Sequence, residues 1–280
     1  MKDKVIIVTG GSSGIGKAIA QRFGREGAKL VITGRREDRL NDAVADLKKH
    51  NITAISVVAD ASVETDCANV VDIAVREYGQ IDILINNAGV TQRSLFEDLQ
   101  LEVFKKIMDV NFYGLVNTTR YALPYILRSK GSIVGIASVN GRRATPARSA
   151  YSASKFAMIG FLESLRSEML DRGVHVLTVC PGFTASNIRR SALMANGKVF
   201  AGPQRDESFM MSAEEVADEV YTAVVRRKRD ILLTWQGKLA VWLNIFFPKW
   251  MDRKALELIQ RDERIEQQES AKSIGARIRT

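Results

Sequence analysis

Short apolar runs rich in β-branched residues recur along this chain, and each is separated from the next by a stretch with helical spacing. Val5–Thr9, Leu30–Thr33, Ala54–Val58, Ile81–Ile85, Ser132–Ala137, Val174–Val179 and Ile231–Thr234 each read as a strand. Between the first two, Ile15, Ala18, Ile19, Arg22 and Phe23 repeat at three- and four-residue intervals. Further helices are predicted over 37–49, 63–77, 101–108, 112–128 and 151–171, and Ser212-Ala-Glu-Glu215 is a capping-box pattern that starts one near 213. Strands apolar on both sides, alternating with helices, require a parallel sheet covered on both faces. Its crossovers are right-handed. The expected fold is α/β, a doubly wound parallel sheet of about seven strands. Such a sheet binds ligands beyond the carboxyl ends of its strands, where the strand order switches. Gly10, Asp60, Asn86, Ser138 and Pro181 all fall at those ends.

Composition narrows the classes. With 280 residues, 46% of them hydrophobic, the chain is long enough to bury a core without covalent staples. Its two cysteines, Cys67 and Cys180, form neither a disulfide framework nor a zinc spacing, so two reduced, buried thiols, a cytoplasmic protein and no metal are expected. The first strand follows Met1-Lys2-Asp3-Lys4 at once, so no signal peptide is expected. No apolar stretch approaches the ~20 residues of a spanning helix. The net charge of +9 is spread along the chain, with denser patches at 142–148, 226–229 and 272–279. No aromatic-interleaved basic motif of a nucleic-acid module accompanies it, so a solvated basic surface is expected rather than a nucleic-acid partner.

Thr9-Gly-Gly-Ser-Ser-Gly-Ile-Gly16 joins the first strand to the first helix. Glycines there let the backbone turn tightly and approach a pyrophosphate, while the helix start offers free N–H groups and a positive dipole. Tyr151 and Lys155 lie four residues apart on a predicted helix and share one face. A phenol is a poor base at neutral pH, but a neighbouring ammonium favours its phenolate. Tyr151 then suits a general acid/base role. Ser138, at the end of the fifth strand, is placed to hydrogen-bond a substrate oxygen.

Thr9, Gly10, Gly14 and Gly16, then Asn86-Asn87-Ala88-Gly89, then Tyr151-Ser-Ala-Ser-Lys155 thirteen residues after Ser138, together resemble the short-chain dehydrogenase/reductase family over about residues 3–235. The resemblance implies a single Rossmann-like domain, commonly a homodimer or homotetramer, which moves a hydride between a nicotinamide cofactor and a carbonyl or alcohol. It implies catalytic roles for Asn111, Ser138, Tyr151 and Lys155. Lys155 would also bond the nicotinamide ribose, and Asn111 would help a water chain bring protons to it. The cofactor contacts it implies fall on Thr9, Gly10, Ser12, Ser13, Gly14, Ile15 and Gly16, on Asp60 (at the adenine) and Ala61, and on Asn87, Ala88 and Gly89. A loop at Pro181-Gly182 would cover the nicotinamide. Ser186 stands where the family has a threonine that bonds the carboxamide, and Thr184 is an alternative donor. A cofactor-binding sensor or scaffold without turnover is the competing class, against which the full set of four catalytic residues argues.

The second strand ends in Gly34-Arg35-Arg36, with no acidic side chain to hold a ribose diol. Guanidinium groups pair well with a phosphate dianion, so NADP(H) is favoured over NAD(H), with Arg35 as the first phosphate contact and Arg36 the second. A solvated helix start is the other reading of these arginines, and a helix cap the other reading of Asp60. Residues 184–211 have no strong period and carry Met194, Phe200, Phe209, Met210 and Met211 beside Arg189, Arg190 and Lys198. A long aperiodic segment reads as a lid over a medium or large apolar substrate, or as ordinary packing under a loop. Arg142, Arg143 and Arg148 either greet an anionic group, are solvated or pair across subunits. The chain divides into a catalytic domain over 1–235 and a helical extension over 236–280. Its stretch 236–251 is aromatic-rich and flanked by Lys238, Lys249, Arg253 and Lys254. That pattern suits packing on the core or a partner subunit, or peripheral contact with a membrane surface.

Overall fold

A computed structural model describes residues 1–184, 191–200 and 210–261. Its strands are β1 (Val5–Val8), β2 (Lys29–Gly34), β3 (Ala54–Val58), β4 (Ile83–Asn86), β5 (Ser132–Ile136), β6 (His175–Cys180) and β7 (Asp230–Leu232). They form one sheet in the order β3-β2-β1-β4-β5-β6-β7, with every pairing parallel. The order reverses between β1 and β4, so the ends of these two strands flank the crevice where such sheets take ligands.

The helices are α1 (Gly14–Gly24), α2 (Glu37–Lys49), α3 (Glu64–Tyr78), α4 (Leu101–Met108), α5 (Gly114–Ser129), α6 (Ser149–Glu168), α7 (Ala213–Val225) and α8 (Trp235–Phe246). Successive strand residues point to opposite faces, and both faces are dry. Ile6, Val8, Ile32, Ile85 and Val179 pack with Ile19 and Phe23 of α1, Leu40 of α2 and Val216 and Val220 of α7. Ile7, Val31, Leu84, Ile133 and Val176 pack on the other side with Val70 of α3, Leu115 of α5 and Met158 and Leu162 of α6. This is why the strands read as unbroken apolar runs. Each fully buried Ile or Leu contributes about 1.5–3 kcal/mol.

Most boundaries follow the sequence. The capping box forms as expected: the Ser212 hydroxyl accepts from the Glu215 N–H at 3.0 Å, and the Glu215 carboxylate accepts from the Ser212 N–H at 2.7 Å. The fourth strand begins two residues later than expected. The two helices expected over 101–108 and 112–128 are joined by a π-helical turn, Asp109–Tyr113. A second helical stretch, 248–261, follows α8. Ser186, Arg189, Arg190 and Phe209 lie outside the described residues. Within the expected lid, Leu193 bridges to Gln92 and to Val199.

Candidate active site

The glycine-rich turn is built for close approach. Gly10 and Gly14 adopt φ of +66° and +52°, which side chains rarely tolerate. A Cβ on Gly16 would run into the Gly10 carbonyl and the Asn87 amide. Ser13 occupies the N-cap of α1, but no side chain caps the helix, and its first turn holds no acidic residue. The start of α1 thus has neither a side-chain cap from Ser13 nor an acidic first turn, which fits a phosphate. Ser12 lies against the end of β2, where a Cβ on Gly34 would stand 3.2 Å from its hydroxyl. Ile15 packs on the core below.

Thr9 and Asn87 hold the two sides of the crevice together. The Thr9 hydroxyl accepts from the N–H groups of Asn87 and Ala88, both at 3.0 Å. The Asn87 amide donates to the carbonyls of Thr9 and Gly10 at 2.9 and 3.2 Å. Both side chains are thus engaged in fixing the loops after β1 and β4. Ala61 lies after β3, where its carbonyl packs so closely over Gly114 that a Cβ there would stand 2.6 Å away.

The expected catalytic residues gather at the carboxyl ends of β4 and β5. Lys155 is fully buried on α6, and its Nζ donates to the Ile136 carbonyl at 2.8 Å. Burial pushes its ammonium down to about 8. Tyr151, one turn earlier, is nearly buried, with the Lys155 ammonium 5.8 Å from its ring centre. Asn111 sits in the π-turn, buried, with its carbonyl oxygen accepting from the Val90 N–H at 2.8 Å. Its amide donates to the Val90 carbonyl and to the Ser154 hydroxyl, each at 2.9 Å, and Ser154 in turn donates to the Tyr151 carbonyl at 2.7 Å. A side chain at Gly89 would intrude between Asn111 and Lys155. Ser138 follows β5, and its hydroxyl accepts from the Asn140 N–H at 3.1 Å. Asn140 then reaches Ser152, beside Tyr151. The fold thus brings all four expected residues to one crevice wall.

At the end of β2, Arg35 extends into solvent, 3.9 Å from the Asp60 carboxylate. Burial alone would raise the Asp60 carboxyl. Two hydrogen bonds from Ser62, then the charges of Arg35 and Lys106, outweigh it and hold the group below its usual range. Asp60 therefore folds its own turn; the N-cap of α3 is Val63, with no side-chain cap. Arg36 is the N-cap of α2, where Glu37 and Asp38 answer the helix dipole. After β6, Pro181 accepts from the Val139 N–H at 3.0 Å, and Gly182 lies so close to Thr234 that any Cβ would clash. The Thr184 hydroxyl already donates to the Gly182 carbonyl at 3.3 Å.

One polar residue in this region escapes sequence reasoning. Gln92 is fully buried. Its carbonyl oxygen accepts from the Ala150 N–H at 2.9 Å, and its amide donates to the Ser94 carbonyl at 3.0 Å and toward Ser149 at 3.3 Å. It caps the first turn of α6 immediately before Tyr151, where the N-cap residue Arg148 makes no side-chain cap bond. A lone glutamine after β4 has no local signal that would announce this.

The family model for short chain dehydrogenases matches residues 4–196. Dehydrogenase/reductase SDR family member 7B of Rattus norvegicus is 34% identical over 257 residues, spanning 89% of this chain and 79% of its own. 11-beta-hydroxysteroid dehydrogenase 1A of Arabidopsis thaliana is 40% identical over 202 residues, spanning 71% of this chain and 56% of its own. The crystal structure of a short chain dehydrogenase/reductase from Burkholderia phymatum in complex with NAD superposes with a TM-score of 0.80 at 25% identity, over 89% of this chain and 95% of that one.

Proposed function

Because this chain belongs to the short-chain dehydrogenase/reductase family, we propose that it is an NADP(H)-dependent oxidoreductase acting between a carbonyl and a secondary alcohol, and that it reduces a medium or large apolar ketone. The observation that carries this reading is the buried Lys155, anchored to the β5 carbonyl of Ile136, with Tyr151 on the same helical face and Ser138 just past the strand. A bound nicotinamide supplies or takes the hydride. Tyr151 donates its proton to the forming alkoxide in reduction and accepts it in oxidation. The Lys155 ammonium stabilises the phenolate that reduction leaves behind. Ser138 hydrogen-bonds the substrate oxygen, and Asn111 keeps the β4 loop and α6 in register.

The residues fit the cofactor. The uncapped start of α1 suits its pyrophosphate, and Arg35 suits a 2′-phosphate. The apolar-substrate reading is supported by Phe183, Met194 and Val199, which are substantially exposed in the segments after β6. Two buried free thiols, Cys67 and Cys180, support a reducing, cytoplasmic setting, and we expect a homodimer or homotetramer, as the family commonly forms.

NADPH and NADH oxidation against carbonyls ranging from small aldehydes to sterols and long-chain ketones tests the reaction class. In Tyr151→Phe, turnover is expected to fall by about 10²–10⁴-fold while NADPH binding, followed by fluorescence titration, is retained. Undiminished turnover in this variant would remove Tyr151 from the mechanism.

A further inference from the structure

The helix after the last strand is inside out. An amphipathic helix of a globular protein normally turns its apolar stripe to the core. In α8 only Gly237 is buried. Trp235, Leu239, Trp242 and Phe246 follow one another at i, i+4, i+7 and i+11, the spacing of a single stripe, and all are exposed, Trp235 by 69% and Phe246 by 59%. Trp242 and Phe246 pack against each other, with ring centroids 5.1 Å apart and planes inclined by 53°. Ile245, Phe247 and Trp250 are exposed beside them.

This face does not belong to a loose tail. Thr234, at φ +67°, accepts from the Gly237 N–H at 3.2 Å and packs on Gly182. Gly237 lies against Val139, next to Ser138. The following helical stretch is tied back by Asp252, whose carboxylate lies 3.0 Å from the guanidinium of the buried Arg143. The stripe is therefore held at the carboxyl-end face of the sheet, beside the candidate active site.

Charge and composition select what covers it. Residues 235–251 contain Lys238 and Lys249 and no carboxylate, and Arg253 follows. The first acid, Asp252, is paired with Arg143. All three tryptophans of the chain lie in this stretch. Indole rings favour the boundary between acyl chains and headgroups, and a cationic rim complements anionic headgroups. No helix among the described residues is long and apolar enough to cross a membrane. We propose that α8 lies flat on an anionic lipid surface, with the Trp235–Trp242–Phe246 stripe in the headgroup and acyl boundary. Such docking turns the mouth of the candidate active site toward the bilayer, so that an apolar substrate passes between lipid and protein; that last step alone rests on the oxidoreductase reading.

The test uses the full chain, without cofactor or substrate, and phosphatidylcholine vesicles with and without phosphatidylglycerol. All tryptophan emission comes from this stretch, so quenching by lipids with brominated acyl chains reports its insertion directly. The expected results are binding that phosphatidylglycerol strengthens and salt weakens, together with bromine quenching. The double variant Trp242→Glu/Phe246→Glu should bind at least about tenfold more weakly, with an unchanged thermal midpoint and an unchanged mass in lipid-free buffer. Absence of quenching, or full vesicle binding by the double variant, would overturn the proposal. So would a drop in lipid-free mass in the double variant, which would assign the face to a second copy of the chain. None of these readouts requires turnover, so a failure here is separable from a failure of the catalytic reading.

Discussion

Lys155 carries its charge where water scarcely reaches, and this one fact shapes the pH behaviour of the site. Burial holds its ammonium at about 8, well below an exposed lysine. The ammonium is therefore present at neutral pH and is lost as pH rises through about 8, and on the proposed mechanism the stabilisation of the Tyr151 phenolate goes with it. The kcat/KM for carbonyl reduction is expected to decline above about pH 8, on the order of tenfold per pH unit. A profile with no inflection there would separate Lys155 from the reaction. Arg35 poses the cofactor question at the same scale. Arg35→Asp replaces a charge-assisted bond worth about 1.5–3 kcal/mol, so NADPH affinity should fall by about 10–100-fold, with NADH little affected. Equal losses in titrations of the two would move the phosphate contact away from Arg35. That Tyr151 and Lys155 meet on one helix was legible in the sequence, because a four-residue spacing needs no knowledge of the rest of the fold. The part played by Thr9 was legible only as a member of a motif, since its hydroxyl works against a loop after a strand far along the chain.

Two elements decide how those side chains are presented. Between α4 and α5 the sequence shows a gap in the helical period, and the natural reading is two helices. The backbone instead continues through a π-turn, a feature that often marks functional sites, and it carries Asn111 inward to Val90 and Ser154. Nothing in a hydrophobic period distinguishes such a turn from a break. The start of α6 is the second case. Its usual cap is missing, and Gln92, from the segment after β4, supplies the acceptor for the Ala150 N–H. Gln92→Ala leaves the buried Ala150 N–H without its acceptor and the Ser94 carbonyl without its donor, at a cost of about 1–3 kcal/mol in stability. It should lower kcat by on the order of tenfold through the misplaced Tyr151, while NADPH affinity is preserved. Gln92→Glu, which keeps the acceptor, should recover part of kcat; steady-state kinetics with parallel NADPH titration checks both. By contrast, the capping box of α7 was legible from four letters, because its two bonds close within one turn.

Across the whole molecule, the sheet order does what no local pattern does. Placing β1 beside β4 sets the glycine-rich turn against Asn87 and Ala88, and placing β4 beside β5 sets the Gly89–Val90 segment that Asn111 holds beside Lys155 at the Ile136 carbonyl. The alternation of apolar runs with helices was enough to require a parallel sheet with both faces covered, because a strand dry on both sides has no other stable surroundings. The placing of the candidate residues at the strand ends was equally visible, since a turn, a cap and an i,i+4 pair are each specified within a side chain's reach along the backbone. Composition also marked 236–251 as aromatic-rich, but composition has no sense of inside and outside. Only the tertiary structure turned the apolar stripe of α8 to solvent, through the contacts of Thr234 with Gly182 and of Arg143 with Asp252. The same holds for Gln92 at Ala150 and Thr9 at Asn87. These partners lie dozens of residues apart, and which of the many polar side chains meet is decided by how the layers stack, not by anything written next to them in the chain.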